Sequence, residues 1–132
     1  MHENFFHKLK IYYEDTDSGG VVYYANYLKF LERARSEAIH SLGFSNKGLL
    51  ENHGILLIVK SCNIQYKKPA QLEDLLEIIS QAISFTKTSI LMKQLISKNK
   101  DIISEAEVHL VAVDNKGKPT KIPDELKRKL EN

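Results

Sequence analysis

One long amphipathic helix pattern, followed almost entirely by strand patterns, limits the folds open to this chain. From about Tyr24 to Leu42, apolar residues recur at spacings of three and four, and Gly43 is a natural helix stop. The helix is also apolar on a second face, through Leu28 and Ile39. A helix that is apolar on two faces needs cover on both, so we expect a sheet to wrap around it.

The strand patterns predict that sheet. Residues 5–13 are rich in aromatic and branched side chains and predict a strand ahead of the helix. Four further strands are predicted after the helix, over residues 55–67, 75–85, 89–97 and 102–113. Short turns join the last three strands, which favours an antiparallel meander. We therefore expect an α+β fold, a five-stranded antiparallel sheet around one long central helix, with residues 1–132 in a single domain.

The remaining segments are short. Residues 44–54 read as a polar linker with one helical turn, and Pro123 opens a short charged helix. The sheet face away from the long helix is predicted to be apolar, and we expect subunits to pack against it. That face is formed by Leu75, Ile79, Ile83, Phe85, Leu91 and Leu95.

Composition excludes several classes of protein. The net charge of +2 is small and the lysines are dispersed, which argues against nucleic-acid binding. The single cysteine, Cys62, rules out an internal disulfide and lies in an apolar strand pattern, where we expect it to be buried. The five histidines lack metal-ligand spacing, so we expect neither metal nor cofactor.

The sequence patterns predict neither an export segment nor a membrane anchor. No apolar run is long enough to span a bilayer, and no N-terminal stretch has the apolar core of a signal peptide. We therefore expect a cytoplasmic protein with no stable membrane insertion.

The segment from Tyr13 to Tyr27 has the residues for chemistry. Three acids within four residues, Glu14, Asp15 and Asp17, precede two glycines and an aromatic run that opens the helix. A helix start offers free N–H groups and a partial positive charge, while a carboxylate offers a base or a nucleophile. We expect Asp15 to bond backbone N–H groups of the loop, and from the residues alone Asp17 is equally a loop residue or a catalytic one.

Part of this segment also looks like half of a calcium-binding loop. Its sixth position, counted from Asp15, is a glycine, as an EF-hand requires. The fifth position is Gly19 rather than Asp or Asn, and the twelfth is Asn26 rather than Glu. We therefore reject a calcium site.

The pattern Tyr-x-Asp-Thr-Asp-x-x-Gly-Val-Val-Tyr-x-x-x-Tyr, at residues 13–27, resembles the signature of hotdog-fold acyl-CoA thioesterases of the YbgC type, related to 4-hydroxybenzoyl-CoA thioesterase. The similarity extends over nearly the whole chain. It continues through Glu32–Glu37, Tyr66–Ala70, Asp74–Ile78 and Glu105–Val108.

The resemblance implies hydrolysis of acyl thioesters, with Asp17 as the catalytic carboxylate, and assembly as dimers or dimers of dimers. The backbone N–H of Tyr24, with that of Tyr23, would polarise the thioester carbonyl. Asp17 would either activate water or attack the carbonyl itself. Many YbgC-type members carry His where this chain has Tyr24, so a mechanism that needs that histidine is in doubt. The family also suggests a link to phospholipid metabolism and a homotetramer.

Further residues are candidates for substrate binding. Val21, Val22 and Tyr23 would shape the acyl end of the pocket. Coenzyme A phosphates would meet lysines and its amides would pair with strand-edge backbone, at Lys67, Lys68, Lys87, Thr88 and Ser89.

Two other functions compete with hydrolysis of acyl-CoA. The first is a hotdog module that binds acyl-CoA or acyl carrier protein without turnover. Asp17 argues against it, because a pure binder gains nothing from a desolvated charge. The second is a hotdog dehydratase, which ranks last because its catalytic histidine has no match here. No Gly-x-Ser-x-Gly elbow of a serine hydrolase is present.

Overall fold

The computed structural model describes residues 4–131, which form five strands and three α-helices. In chain order these are β1 (Asn4–Lys10), α1 (Asn26–Ser41), α2 (Asn46–His53), β2 (Leu56–Tyr66), β3 (Leu75–Phe85), β4 (Ser89–Lys98), β5 (Asp101–Val113) and α3 (Asp124–Glu131). A single 3₁₀ turn, Tyr13–Asp15, follows β1. None of the helices within residues 4–131 has the length and apolar character needed to cross a membrane.

The strands form one antiparallel sheet in the order β1-β3-β4-β5-β2. The predicted meander is confirmed, because β3, β4 and β5 are neighbours joined by short turns. At one end of the sheet Ser89 pairs with Val111, and at the other Ile96 pairs with Ser104, which also faces Tyr66. In this strand order β1 and β2 are the two edge strands of the sheet.

One face of the sheet carries the core. Apolar residues of α1 at helical spacing are buried there, with α3 adding Leu126 and Leu130. The buried residues of α1 are Tyr27, Phe30, Leu31, Ala34, Ala38 and Ile39. Alternate residues of β3, β4 and β5 complete the core, which is the period of two expected for half-buried strands. The predicted five-stranded antiparallel sheet is thus confirmed, with α1 the longest of three helices.

A buried amide fixes α1 to the middle of the sheet. Gln94 on β4 is fully buried, and its Nε2 donates to the carbonyl of Leu31 (3.0 Å) and to Ser80 Oγ (2.9 Å). Its Oε1 accepts from Arg35 Nη1 at 3.0 Å. All the polar atoms of this side chain are therefore paired, as a buried amide requires.

The prediction that Phe85 lies on the outer face is wrong. The pairing of β3 with β4 passes from Ala82–Met92 to Ser84–Leu91, so Ile83 is bulged. A bulge of one residue reverses the faces beyond it, and Phe85 packs against the core beside Ile90.

The prediction that Cys62 is buried is also wrong, since its side chain is exposed. It lies on β2, which is exposed along most of its length, including Val59 and Tyr66. The backbone of α1 approaches β1 and β3 most closely, so much of β2 is not covered by this helix, although Leu57 and Ile64 pack against the core. Leu28, on the second apolar face of α1, is likewise exposed.

Candidate active site at the start of α1

The acidic loop folds back on itself as a small hairpin. Thr16 and Val22 form an antiparallel bridge, and the N–H of Asp17 donates to the carbonyl of Val21 (2.9 Å). The N–H of Gly20 then donates to the carbonyl of Asp17 (3.2 Å), which closes a four-residue turn. Gly20 has φ +82°, a left-handed conformation that favours glycine. The hairpin returns the chain directly to the start of α1.

The three acids of the loop have separate environments. Asp15 Oδ2 accepts from the N–H of Tyr12 (2.9 Å), so its predicted role in holding the loop is confirmed. Asp17 Oδ1 accepts from the N–H of Gly19 (2.8 Å), and its carboxylate is exposed. Glu14 is exposed and contacts no partner among residues 4–131. The loop thus orients Asp17 through one oxygen and leaves its other oxygen open.

The start of α1 has no side-chain cap. Ala25 occupies the N-cap position with helical dihedrals (φ −66°, ψ −22°), and the first turn holds no acidic residue. Within the described part of the chain, the N–H groups of Tyr24 and Ala25 have no acceptor. Two adjacent donors therefore remain available at the positive end of the helix dipole.

The prediction that the N–H of Tyr23 assists Tyr24 is wrong. That N–H donates to the carbonyl of Asp15 at 3.1 Å and is unavailable to a ligand. The second free donor belongs instead to Ala25, which the sequence reasoning missed. The side chain of Asn26 reinforces the same contact, because its Nδ2 donates to the carbonyl of Asp15 at 2.8 Å.

An aromatic cleft of about 270 Å³ lies beside these donors. Tyr66 forms edge-to-face contacts in it with Tyr24 and Tyr27, at ring-centroid distances of 6.2 and 5.2 Å. Tyr23 lies against Tyr24 at 4.9 Å. The cleft is lined by Val22, Tyr24, Tyr27, Tyr66, Lys67, Lys68 and Pro69.

Two tyrosine hydroxyls bond the backbone around the cleft. Tyr66 OH donates to the carbonyl of Tyr24 (3.1 Å), and Tyr27 OH accepts from the N–H of Ala70 (3.0 Å). Burial raises the pKa of both hydroxyls above the usual value for tyrosine, so both are protonated at neutral pH. Tyr66 was not predicted as a site residue, although the similarity at Tyr66–Ala70 pointed to this segment.

A sequence model described as the Thioesterase-like superfamily matches residues 12–130. The chain belongs to this superfamily.

Individual relatives show which members of the superfamily the chain resembles. The chain is 41% identical to the acyl-CoA thioesterase YbgC of Haemophilus influenzae over 90% of its own length and 88% of that protein. It is 38% identical to the acyl-CoA thioester hydrolase YbgC of Escherichia coli O6:H1 over 89% of each chain. The crystal structure of a probable thioesterase from Bartonella henselae superposes with a TM-score of 0.89 at 31% identity, covering 92% of this chain and 100% of that one. The YbgC-type resemblance and the hotdog fold are confirmed.

Five of the predicted substrate residues lie in or near the cleft, including Tyr23, whose ring lies against that of Tyr24. Val22 is buried in its wall, and Val21 is half-buried in a bridge to Gln71. Lys67 and Lys68 line the cleft, where their ammonium groups lie 3.2 Å from Glu105 and 4.0 Å from Asp101.

The other predicted contacts, Lys87, Thr88 and Ser89, lie at the opposite end of the sheet. Ile96 lies seven residue steps along β4 from Ser89, about 23 Å at roughly 3.3 Å per residue. Backbone groups there are already paired, since the carbonyl of Lys87 accepts from Ile122 and that of Thr88 from Ala112. One chain therefore does not bring both groups to one site.

The described residues hold no group of three or more His, Cys, Asp or Glu side chains placed to bind a metal ion. The groups that the structure places at the start of α1 are the Asp17 carboxylate and the backbone donors of Tyr24 and Ala25.

Proposed function

We propose that this chain hydrolyses acyl-CoA thioesters to the free acid and coenzyme A. The observation that carries the proposal is the uncapped start of α1, where the N–H of Tyr24 is free beside the loop that presents Asp17. The YbgC relatives at 41% and 38% identity support it, because they are named as acyl-CoA thioesterase and acyl-CoA thioester hydrolase.

The chemistry follows from the two groups. The N–H of Tyr24 donates to the thioester oxygen and stabilises the negative charge that develops there during attack. Asp17 acts in one of two ways. As general base it takes a proton from water, whose oxygen attacks the carbonyl. As nucleophile its own oxygen attacks, giving an anhydride that water then hydrolyses. In both routes the C–S bond breaks and the thiolate of coenzyme A takes up a proton.

The substrate would lie along the aromatic cleft. Val21, Val22 and Tyr23 contact the acyl group close to the carbonyl, and Lys67 and Lys68 offer charge to the coenzyme A phosphates. Both lysines are exposed and have carboxylate partners nearby, so each contributes modestly.

A second copy of the chain would complete the site. The edge strand β2 is exposed on both faces, through Leu56 and Ile58 on one and Val59 and Tyr66 on the other. Two β2 strands pairing antiparallel would cover these residues. Antiparallel pairing also brings opposite ends of the two sheets together, so the turn at 87–89 of one copy approaches the α1 start of the other. We propose a homodimer or a dimer of dimers. A cytoplasmic location and a role in lipid metabolism remain predictions.

The test is a panel of acyl-CoA and acyl-carrier-protein thioesters, with the released thiol detected. Asp17→Asn should lower kcat by about 10² to 10⁴, the usual contribution of a positioned base or nucleophile. Glu14→Gln is the matched control. Glu14 is an exposed acid three residues before Asp17, and the variant removes its charge in the same way. Unchanged hydrolysis by Asp17→Asn would contradict the mechanism.

An acyl-binding module without turnover is the second candidate. The argument against it assumed that Asp17 is buried, and in this chain the carboxylate is exposed, so no desolvation cost applies. Tight binding of acyl-CoA or acyl carrier protein with no thiol released by the wild type would favour this candidate.

A further inference from the structure

Tyr66 reaches the start of α1 from a different part of the fold. It is the last residue of β2, and its hydroxyl donates to the carbonyl of Tyr24, 42 residues away, at 3.1 Å. Its ring is held by edge contacts with Tyr24 and Tyr27. The direction of the hydroxyl is therefore set by packing as well as by the hydrogen bond.

The bonded carbonyl belongs to the same peptide unit as a free donor. The carbonyl of Tyr24 and the N–H of Ala25 share one planar trans peptide, so they point in opposite directions. A bond that fixes the oxygen therefore also fixes the direction of the N–H. Donation to the oxygen also polarises the peptide and makes its N–H a stronger donor.

Little else holds this peptide. The helix start lacks a side-chain cap, and the carbonyl of Tyr24 has only one other donor among residues 4–131, the N–H of Tyr27 at 3.3 Å. The preceding peptide is held differently, because the carbonyl of Tyr23 accepts from Asn26 at 2.9 Å. Each of the two free donors thus has its own peptide carbonyl anchored.

We propose that Tyr66 is a positioning residue for hydrolysis: it orients and polarises the Tyr24–Ala25 peptide so that the N–H of Ala25 joins that of Tyr24 in binding the thioester oxygen. The inference rests on the proposed function and adds a second oxyanion donor and the residue that holds it. Tyr66 acts through the backbone and does not itself touch the oxygen.

The first test is Tyr66→Phe, which removes the hydroxyl and keeps the ring. Because the N–H of Ala25 stabilises the transition state, kcat should fall about 3- to 10-fold with KM unchanged. The effect is modest because the hydrogen bond of Tyr66 is partly exposed and acts on the thioester oxygen only through the Tyr24–Ala25 peptide. Tyr13→Phe is the control, since Tyr13 is 82% exposed and its hydroxyl has no partner within residues 4–131; its kcat should match the wild type. A changed KM with an unchanged kcat overturns the proposal.

The second test measures directly how strongly the bound carbonyl group is polarised. An acyl-CoA ketone analogue, with CH₂ in place of sulfur and a ¹³C label at the carbonyl, is stable in every variant. Its infrared C=O stretch should shift to lower frequency on binding to the wild type, and less in Tyr66→Phe. A fall in kcat without a change in this shift assigns Tyr66 a merely structural role and overturns the proposal.

The outcomes separate this inference from the proposed function. If the wild type releases thiol, Asp17→Asn is inactive and Tyr66→Phe behaves as wild type in both tests, only the inference fails. If the wild type binds the analogue without hydrolysing thioesters, the proposed function fails, and an equal carbonyl shift in Tyr66→Phe still overturns the inference.

Discussion

The starts of α1 and α2 differ in whether the chain itself supplies acceptors for their backbone N–H groups. At α2, Ser45 Oγ accepts from the N–H of Gly48 at 2.9 Å, and Gly54 closes the other end with φ +67°. At α1, Ala25 offers no cap, and the N–H groups of Tyr24 and Ala25 lack an acceptor. Of the two positions only that of Ser45 has the extended backbone of a capping residue (φ −149°, ψ 156°), whereas Ala25 is helical. An uncapped start, costing about 1 kcal/mol, is reasonable where a ligand supplies the missing acceptor.

The largest difference between the two helix starts should appear when the N–H of Tyr24 is removed. Incorporating the α-hydroxy acid of tyrosine at position 24 replaces the amide with an ester and leaves the side chain in place. We expect kcat to fall by about 10² to 10³, the usual cost of one oxyanion donor. The same exchange at Gly48 should lower the unfolding temperature and leave kcat unchanged. Equal effects of both esters on activity would remove the distinction between the two helix starts.

A smaller effect should follow from placing a negative charge at the start of α1. Ala25 has helical dihedrals, so Ala25→Asp adds no side-chain cap, but its carboxylate lies at the positive end of the helix dipole and should raise the free energy of unfolding by about 0.5 kcal/mol. Its carboxylate also opposes the developing oxyanion, so kcat should fall roughly tenfold. Ala25→Ser, which adds a hydroxyl without charge, should reduce kcat less. Denaturant unfolding and thiol release measure the two quantities, and an Ala25→Asp variant as active as wild type contradicts the assignment.

The smallest effect is expected at α2, where only stability is involved. Ser45→Ala should lower the free energy of unfolding by about 1 kcal/mol with kcat unchanged. A Cβ on Gly48 would lie 2.8 Å from Ser45 Oγ, so Gly48→Ala should bring little benefit in the wild type. In the Ser45→Ala background the same change should stabilise α2 by roughly 1 kcal/mol. Thermal unfolding of the four proteins decides this, and additive effects would show that the cap does not occupy that space.

Regular periodicity made much of the fold predictable. The third strand was predicted at its observed bounds, Leu75–Phe85, and the predicted helix 24–42 differs from α1 by one or two residues at each end. Both segments have apolar residues at the spacing of their own secondary structure. The 44–54 segment was predicted as a linker with one turn because its apolar content is low, whereas a serine cap, a C-terminal glycine and the burial of Leu49 together stabilise α2.

The features that periodicity did not predict depend on a local irregularity in strand pairing or on the position of α1 on the sheet. The bulge at Ile83 reverses the face of Phe85, and no local pattern marks it. Cys62 has the sequence surroundings of a buried residue, but its exposure depends on where α1 crosses the sheet.

The sequence predicted the outline of the candidate site but not its details. The motif located Asp15, Asp17 and Tyr24, because their loop is contiguous in sequence. Which N–H groups are free depends on the pairing of Tyr23 with Asp15, and the contact with Tyr66 joins residues 42 positions apart. Such contacts exist only once the chain has folded.

The buried amide of Gln94 has a consequence for the accuracy of this site. An α-helix advances about 1.5 Å per residue, so sliding α1 by one residue along the sheet would displace its first N–H groups by that distance. A displacement of about 1 Å can cost a hundredfold in rate. Such a slide would break the bonds of Gln94 to Leu31 and Arg35 and strand a polar group in the core. Gln94, which does not line the cleft, therefore fixes the position of α1 along the sheet. Replacing it with a well-packed apolar side chain would preserve stability at the expense of this alignment.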